Sequence, residues 1–258
     1  MKVKDIYGFL DETAPFSTQD SYDNAGLLVG DPEAEVKRAL IVLDITHDAV
    51  FEALARDCQL IITHHPVIFN PLKSIIEGSV HYRLVKSGIS VISAHTNLDM
   101  AKDGVSDMML ELLGFDGSEI FEVKGFRDGE EYGYGKICTL SSPCTAKELA
   151  KKAKDAFGTA CVRYVDGKKP VLRVAVCSGS GGSLIDLAVS KNCDGYITGD
   201  LKHDHFISAE NSGLTVIDAG HFYTEAIFAK FLSEKLLKRF PEAEFIVGES
   251  NRDVVNYL

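Results

Sequence analysis

The sequence contains one strand–helix–strand pattern twice, and this repeat limits the folds that are open to the chain. Residues 38–63 align with residues 173–198 without a gap. After a connection that is shorter in the second copy, residues 88–94 (GISVISA) align with residues 213–219 (GLTVIDA). Any two βαβ units resemble each other to some degree, but the shared spacing and strand ends favour an internal duplication.

The repeated segments predict buried strands separated by helices. In the first copy, ALIVLDI (39–45), LIIT (60–63) and ISVISAH (89–95) are short apolar runs, and DAVFEALARD (48–57) between the first two predicts a helix. Strands that alternate with helices in this way are typical of an α/β layer with largely parallel strands. We therefore expect an α/β fold with two similar halves.

The limits of the two halves follow from the repeat. We predict a first α/β domain over residues 1–125 and a second over residues 126–242, with a C-terminal strand at about 243–258 returning to the first. In the second domain, TAKELAKKAKDAF predicts an amphipathic helix with Thr145 as its N-cap. EAIFAKFLSEKLLKRF predicts a longer amphipathic helix, which Pro241 ends.

Composition excludes several functional classes. Lys and Arg number 27 against 38 Asp and Glu, and the resulting net charge of −11 disfavours nucleic acid as a partner. No apolar run approaches the roughly 18 residues of a membrane span, and the N-terminus lacks the apolar core of a signal peptide. The six cysteines form no C-x-x-C pair. We therefore expect a cytoplasmic protein with reduced thiols and no membrane partner.

Histidines follow three of the predicted strands. His64 and His65 follow LIIT, His95 follows ISVISA, and His221 follows LTVIDAG. In parallel α/β sheets, ligands bind at the carboxyl ends of the strands. At a turn, two adjacent histidines can reach two metal ions about 3.5–4 Å apart, as in dinuclear hydrolytic centres.

An acid lies four residues after two of these histidines. Asp99 follows His95 and Glu225 follows His221, in each case where a helix is predicted to begin, so that each pair shares a helix face. Imidazole and carboxylate are donors for Zn, Fe, Mn or Co. Each acid alone could be an ordinary first-turn or capping residue. Their coincidence with the histidines at strand ends of both copies predicts a metal site.

Other polar segments leave alternatives open. Asp200, His203 and His205 in GDLKHDHF either contact a substrate or belong to a solvated loop. His47 lies in DITHDA, where Asp44 and Thr46 could cap the next helix. The glycines of CSGSGGS lie between a strand and a helix and form either an anion-binding nest or a flexible turn. The chain contains no P-loop motif and no G-x-S-x-G elbow, which argues against a P-loop nucleotidase and a serine hydrolase.

Six blocks, in order, resemble the Nif-three-like family, whose bacterial members carry the label GTP cyclohydrolase I type 2. The resemblance covers essentially the whole chain. The blocks are YDNAGLLVG (22–30), VLDIT (42–46), ITHHPVIF (62–69), AHTNLD (94–99), ITGD (197–200) and DAGHFYTE (218–225).

The resemblance implies a duplicated α/β fold with a dinuclear metal centre in the cleft between the halves. It implies two divalent ions per chain (Zn, Fe, Mn or Co), with Glu225 bridging them, and it places His95 beside the ions as a catalytic proton-transfer group. It also implies a toroidal homohexamer whose sites face an inner cavity. The implied metal ligands are His64, His65, Asp99, His221 and Glu225.

The family label implies a particular reaction, in which a metal-activated hydroxide attacks C8 of a guanine ring and the ring then opens. Hydrolysis of another small-molecule substrate, a nucleotide, cyclic amide or phosphoester, is equally compatible with these residues, because fold and metals do not select a substrate. The alternative function is a ring-shaped metal-binding scaffold without robust catalysis.

Two apolar segments predict self-association. SYDNAGLLVG (21–30) and PVIFNPLKSIIEGSV (66–80) are richer in apolar residues than surface loops need to be, and part of the second has no counterpart in the second copy. Such a segment can meet a neighbouring subunit, cover the site as a lid or pack on its own domain. We expect a subunit contact.

Overall fold

The computed structural model describes residues 1–256 and 258. Short 3-10 helices lie at Phe16–Thr18 and Gly182–Leu184. Within the described residues, no helix is both long enough and apolar enough to cross a membrane. In chain order the α-helices and β-strands are α1 (Val3–Thr13), β1 (Gly26–Val29), β2 (Arg38–Val42), α2 (His47–Ala55), β3 (Leu60–Thr63), α3 (Val80–Ser87), β4 (Ser90–Ser93), α4 (Thr96–Met100), α5 (Val105–Leu113), β5 (Gly117–Arg127), β6 (Glu130–Cys144), α6 (Ala146–Phe157), β7 (Arg163–Val165), β8 (Val171–Ser180), α7 (Ile185–Ser190), β9 (Gly195–Gly199), α8 (His203–Ser212), β10 (Thr215–Asp218), α9 (His221–Glu225), α10 (Phe228–Arg239) and β11 (Glu244–Val247).

The chain forms two compact units. Unit 1 comprises Met1–Ala101 with Phe228–Arg252, and unit 2 comprises Lys102–Ile227 with Asp253–Leu258. Each unit contains one β-sheet, so the fold is mixed α/β with two sheets. The limits predicted at 125/126 and 242/243 concern the sequence repeat and stay a prediction.

The sheet of unit 1 has the order β1-β4-β3-β2-β11. The strands β2, β3 and β4 run parallel, β11 joins them parallel to β2, and β1 lies antiparallel to β4 at the edge. Helices α2 and α3 cover one face, where Val50 and Leu84 pack with Leu40 and Ile61 of the strands. Strands buried on both faces explain the continuous apolar runs in the sequence.

The sheet of unit 2 has the order β5-β6-β8-β9-β10-β7. Its centre is again three parallel strands, β8, β9 and β10, with β7 antiparallel to β10 at one edge. The antiparallel pair β5 and β6 extends the other edge through β8. The sequence analysis did not predict β5.

The two sheets repeat the same strand register. In unit 1, Ile41 of β2 pairs with Ile62 of β3. In unit 2, Val176 of β8 pairs with Ile197 of β9, which are the aligned positions of the sequence repeat. The third parallel strand keeps the same register in both units, so the duplication is visible in the hydrogen bonding of the sheets.

The structural repeat begins earlier than the sequence repeat. In unit 1, α1 and the antiparallel edge strand β1 precede β2; in unit 2, α6 and the antiparallel edge strand β7 precede β8. The two edge strands share a position and an orientation, since β1 lies antiparallel to β4 and β7 lies antiparallel to β10. The sequence therefore revealed only the parallel strands of a larger repeated element.

Two helix predictions have different outcomes. Thr145 is confirmed as the N-cap of α6, where its hydroxyl accepts the Glu148 N–H at 3.2 Å and the Glu148 carboxylate accepts the Thr145 N–H at 2.8 Å. The longer C-terminal helix is interrupted: α9 ends at Glu225 and α10 begins at Phe228. This break places Glu225 in a short helix of unit 2 and α10 in unit 1.

Candidate metal centre

The parallel strands of unit 1 bring four of the predicted ligands or catalytic groups together. His64 and His65 directly follow β3, and His95 is the N-cap of α4, two residues after β4 ends. Asp99 lies in α4 itself. Because β3 and β4 are parallel neighbours, their carboxyl ends lie at the same edge of the sheet.

The three imidazoles are close enough to share a cation. Ring centroids are 5.3 Å apart for His64 and His65, 5.2 Å for His64 and His95, and 5.6 Å for His65 and His95. One ring nitrogen from each lies within 4.8 Å of the others. Asp99 Oδ1 is 3.5 Å from His64 Nε2, and the Asp99 N–H donates to the carbonyl of His95, four residues earlier, at 3.1 Å.

A second feature of these rings is the hydrogen bond at Nδ1. A carbonyl or carboxylate oxygen can only accept, so Nδ1–H donates in each case and the neutral ring carries its lone pair on Nε2. Metal-binding histidines are held in this way by an oxygen acceptor on the other ring nitrogen. His64 Nδ1 donates to the Ala94 carbonyl at 2.7 Å, His65 Nδ1 to Asp44 Oδ1 at 2.8 Å and His95 Nδ1 to Asp23 Oδ1 at 2.8 Å.

Unit 2 carries a histidine and a glutamate of its own on one short helix. His221 is the first residue of α9, and its Nε2 lies 2.8 Å from the Glu225 carboxylate one turn later, as the sequence predicted. Nδ1 of His221 hydrogen-bonds to Asp200 Oδ2 at 2.8 Å. Burial acts to lower the pKa of His221, but the hydrogen bonds and charges of Glu225 and Asp200 outweigh burial and raise this pKa to about 9.

The raised pKa of His221 indicates that the groups around this side chain stabilise positive charge. Glu225 is buried, so the negative charge of its carboxylate must be compensated by a positive charge nearby. A proton shared with His221 provides that compensation in the arrangement described here. A metal ion takes the place of such protons when it binds, because ligands coordinate in their deprotonated form.

The glycine-rich turn makes room for the carboxylate. Gly179 has φ +61°, and a β-carbon there would lie 2.1 Å from Glu225 Oε1. The N–H groups of Gly179 and Gly181 already donate to the hydroxyls of Thr224 and Thr198, each at 3.0 Å. Of the two alternatives for CSGSGGS, these contacts favour a closely packed turn over an anion-binding nest.

The three weaker candidates of unit 2 have separate environments. Asp200 follows β9 in a left-handed conformation (φ +52°) and holds His221. His205 Nδ1 accepts the Lys202 N–H at 3.2 Å and so caps α8, while His203 is exposed at the first position of that helix. A substrate contact by any of the three stays a prediction.

Sequence reasoning missed two acids of unit 1. Asp44 does not cap α2; Thr46 does, by accepting the Ala49 N–H at 3.1 Å, and Asp44 instead holds His65. One signal was available, because Asp44 and His65 are 21 residues apart and Asp200 and His221 are also 21 residues apart. In both units the acid follows one parallel strand and the histidine follows the next.

Asp23 is the other missed acid, and it belongs to the loop before β1. Its side chain is completely buried. Oδ1 accepts from His95 Nδ1, and Oδ2 accepts from the backbone N–H and the hydroxyl of Thr96. Burial acts to raise the pKa of Asp23, but the hydrogen bonds from His95 and Thr96 outweigh it and hold this pKa at about 2. Asp23 is therefore ionised throughout the neutral range.

The comparisons with known proteins agree with this architecture. A family model described as Duf34/NIF3 (NGG1p interacting factor 3) matches residues 1–253. The chain belongs to the Duf34/NIF3 family. It is 37% identical over 263 residues to a Clostridium acetobutylicum protein named GTP cyclohydrolase 1 type 2 homolog, covering 98% of this chain and 97% of that protein.

Further members show the same full-length likeness. A Clostridium perfringens protein of the same name is 33% identical over 265 residues, and the match covers 100% of both chains. Among solved structures, a hypothetical protein of Staphylococcus aureus superposes with a TM-score of 0.92 at 27% identity, covering 100% of this chain and 99% of that one. The NIF3 fold therefore extends over the whole chain.

The close packing of Gly179 against Glu225 is testable by substitution. We expect Gly179→Ala to lower the free energy of unfolding by clearly more than Gly158→Ala does, as measured by urea denaturation in the presence of a chelator. Both glycines are left-handed (φ +61° and +66°), so both variants bear the backbone cost of roughly 1–2 kcal/mol. A β-carbon at Gly158 has no heavy atom within 4 Å. Equal losses would show that Glu225 moves away without cost.

Proposed function

We propose that this protein binds two divalent metal ions and uses them to hydrolyse a small-molecule substrate. The observation that carries the proposal is the hydrogen bond at Nδ1 of each of the four imidazoles, which prepares Nε2 for a metal. Imidazole with buried carboxylate is a donor set that fits Zn, Fe, Mn or Co. The proposed ligands are His64, His65, Asp99, His221 and Glu225, with Glu225 as the bridge.

The chain's own groups have distinct tasks in this proposal. When bound, the ions supply Lewis-acid activation of substrate and of water near neutral pH. His95 is the proposed proton-transfer group, because its Nε2 carries the lone pair next to His64 and His65. Asp44 and Asp200 hold His65 and His221 in the binding orientation.

The proposed substrate is a nucleotide or a related cyclic amide or phosphoester. The names of the Clostridium relatives support a purine nucleotide, since both are described as homologues of GTP cyclohydrolase 1 type 2. The scattered free cysteines support a cytoplasmic site of action. A metal-binding scaffold is the second candidate, supported by the family description as an interacting factor and by the exposed apolar residues of the loop between β3 and α3.

We further propose that the protein is a homo-oligomer, most simply the hexamer that the family resemblance implies. The loop between β3 and α3 supports this, because it exposes Phe69, Leu72, Ile75 and Ile76, the last with 66% of its surface. Tyr22 is also exposed and lies 6.4 Å from Phe69 between ring centroids. Apolar clusters of this kind on soluble proteins mark contact surfaces.

The metal stoichiometry is the first test. Elemental analysis of protein reconstituted with Zn, Mn, Fe or Co is expected to give two ions per chain. Glu225→Gln removes the proposed bridge and is expected to remove both ions, whereas His65→Ala mainly removes one. Glu210→Gln, an exposed glutamate in α8, serves as the control and keeps both. Wild-type protein that retains no ion after reconstitution would refute the metal centre.

The hydrolytic reaction requires a separate test. We expect a screen of nucleotides, cyclic amides and phosphoesters to find turnover that depends on the metal and is absent in His65→Ala. For that substrate, His95→Gln is expected to lower kcat by about 10²- to 10⁴-fold, because a positioned proton-transfer group contributes that much, with metal content unchanged. Loss of metal in His95→Gln would make His95 a ligand instead. Metal binding without any turnover would favour the scaffold.

Self-association is tested by light scattering at micromolar concentration. The wild-type mass is expected to be a multiple of the 28.2 kDa chain, most simply six-fold. Ile75→Asp combined with Ile76→Asp is expected to give smaller species, because two charges then lie in the apolar loop. Val85→Asp on α3, another exposed apolar position, should leave the mass unchanged. A wild-type mass near 28.2 kDa would exclude the oligomer, and an unchanged oligomer in the loop variant would favour a lid.

A further inference from the structure

The loop before β1 brings a buried carboxylate to the end of β4. The strands β1 and β4 are antiparallel, with Gly26 opposite Ser93, so the segment that precedes β1 passes over the residues that follow β4. Gln19 braces this segment: its side-chain oxygen accepts the Ala25 N–H at 2.7 Å, and its side-chain nitrogen donates to the Phe16 carbonyl at 2.9 Å. The loop therefore presents Asp23 to His95 in a fixed position.

The Thr96 hydroxyl fixes the direction of the hydrogen bonds around Asp23. Its oxygen accepts the Asp20 N–H at 3.1 Å, so its own hydrogen is available to donate to Asp23 Oδ2. The Thr96 N–H donates to the same oxygen at 3.1 Å. Oδ2 therefore receives two donors. One of them, the Thr96 N–H, is a backbone group that can only donate.

The other carboxylate oxygen contacts His95. Oδ1 accepts from His95 Nδ1 at 2.8 Å and from the Asn24 N–H at 2.7 Å. A carboxylate with all of its contacts to donors requires the hydrogen of His95 on Nδ1. Nε2 is then the nitrogen of His95 that carries the lone pair, and the ring lies in the cluster with His64 and His65, one nitrogen of each within 4.8 Å of the others.

We infer that Asp23 is a positioning residue that fixes His95 in the tautomer with the hydrogen on Nδ1 and the lone pair on Nε2. The tautomer itself depends only on the hydrogen bonds of unit 1, whereas its use in catalysis rests on the proposed function. Asp23 differs from Asp44 and Asp200, which hold proposed ligands from exposed positions. It is buried and acts on the group proposed to move protons.

An asparagine at position 23 reverses this arrangement. Two donors of Thr96 face the Oδ2 position, whereas the Asn24 N–H is the single backbone donor at Oδ1, so the one carbonyl oxygen of asparagine is expected at Oδ2, at the cost of the Asn24 hydrogen bond. The amide nitrogen then occupies the Oδ1 position and donates to His95 Nδ1, which must become the acceptor. Asp23→Asn therefore converts His95 to the tautomer with the hydrogen on Nε2 and removes the lone pair from the cluster.

The experiment is nitrogen NMR on the full chain with ¹⁵N-labelled histidine, loaded with zinc because zinc is diamagnetic, in the solid state so that oligomer size does not matter. The His95 signals are assigned by their loss in His95→Gln. We expect wild-type protein to give a protonated Nδ1 for His95, and Asp23→Asn to give a protonated Nε2. Asp44→Asn is the matched control, which should change the His65 signals and leave those of His95 in place.

Thr96→Val tests whether the His95 tautomer depends on the Asp23 carboxylate itself or changes with any disturbance around Asp23. It removes the hydroxyl but keeps the Thr96 N–H and the bond between Asp23 and His95, so the His95 tautomer should not change. A protonated Nε2 in wild-type protein overturns the inference, and this spectrum decides even if Asp23→Asn does not fold. The same tautomer in wild type and Asp23→Asn also overturns it. Failure to load zinc refutes the proposed metal centre instead, and the tautomer is then measured on the metal-free chain.

Discussion

Four imidazoles of this protein each donate Nδ1–H to an oxygen atom, and the chemistry open to each ring depends on that hydrogen bond. Without it a neutral histidine can place its lone pair on either nitrogen and its ring in several orientations. With it, Nε2 is the nitrogen that each ring offers to a cation. Three of the acceptors are carboxylates, which also add negative charge next to a site for positive ions.

Parallel strands explain how so many acids reach histidines. Neighbouring strands lie about 4.8 Å apart, and all parallel strands end at one edge, so a short side chain at one strand end reaches the next. Asp44 follows β2 and holds His65 after β3. Asp200 follows β9 and holds His221 after β10. Such an acid–histidine pair requires only that polar residues follow closely after buried apolar strands.

The duplication copied the sheet but not the polar groups. The repeat aligns Asp44 with Gly179, so where unit 1 has an acid that holds a histidine, unit 2 has a glycine that makes room for Glu225. The acid–histidine pair in unit 2 is consequently shifted by one strand. Burial fixes the strands, since they must pack on both faces, whereas the strand ends are free to diverge.

Sequence by itself determined the parallel strands, the duplication and the candidate ligand types, because apolar runs, turn residues and the histidines at strand ends are local features. The apolar run that predicts β3 is recognised from neighbouring residues alone. The same is true of the placement of His64 directly after it. The i and i+4 spacing of His221 and Glu225 was confirmed for the same reason, since it lies within one helix. Asp99 likewise lies one turn after His95, whose carbonyl accepts its N–H, and the spacing did not predict that its carboxylate also lies 3.5 Å from His64 Nε2.

Tertiary structure alone decided that Asp23 holds His95. Asp23 is 72 residues from His95 in the chain, and no local pattern links them; they meet because β1 pairs antiparallel with β4. Asp44 looked like a helix cap, since capping and holding a histidine require the same residue type. Hydrogen bonds between distant residues depend on strand order and register, and those are fixed only when the whole apolar surface of each sheet is buried.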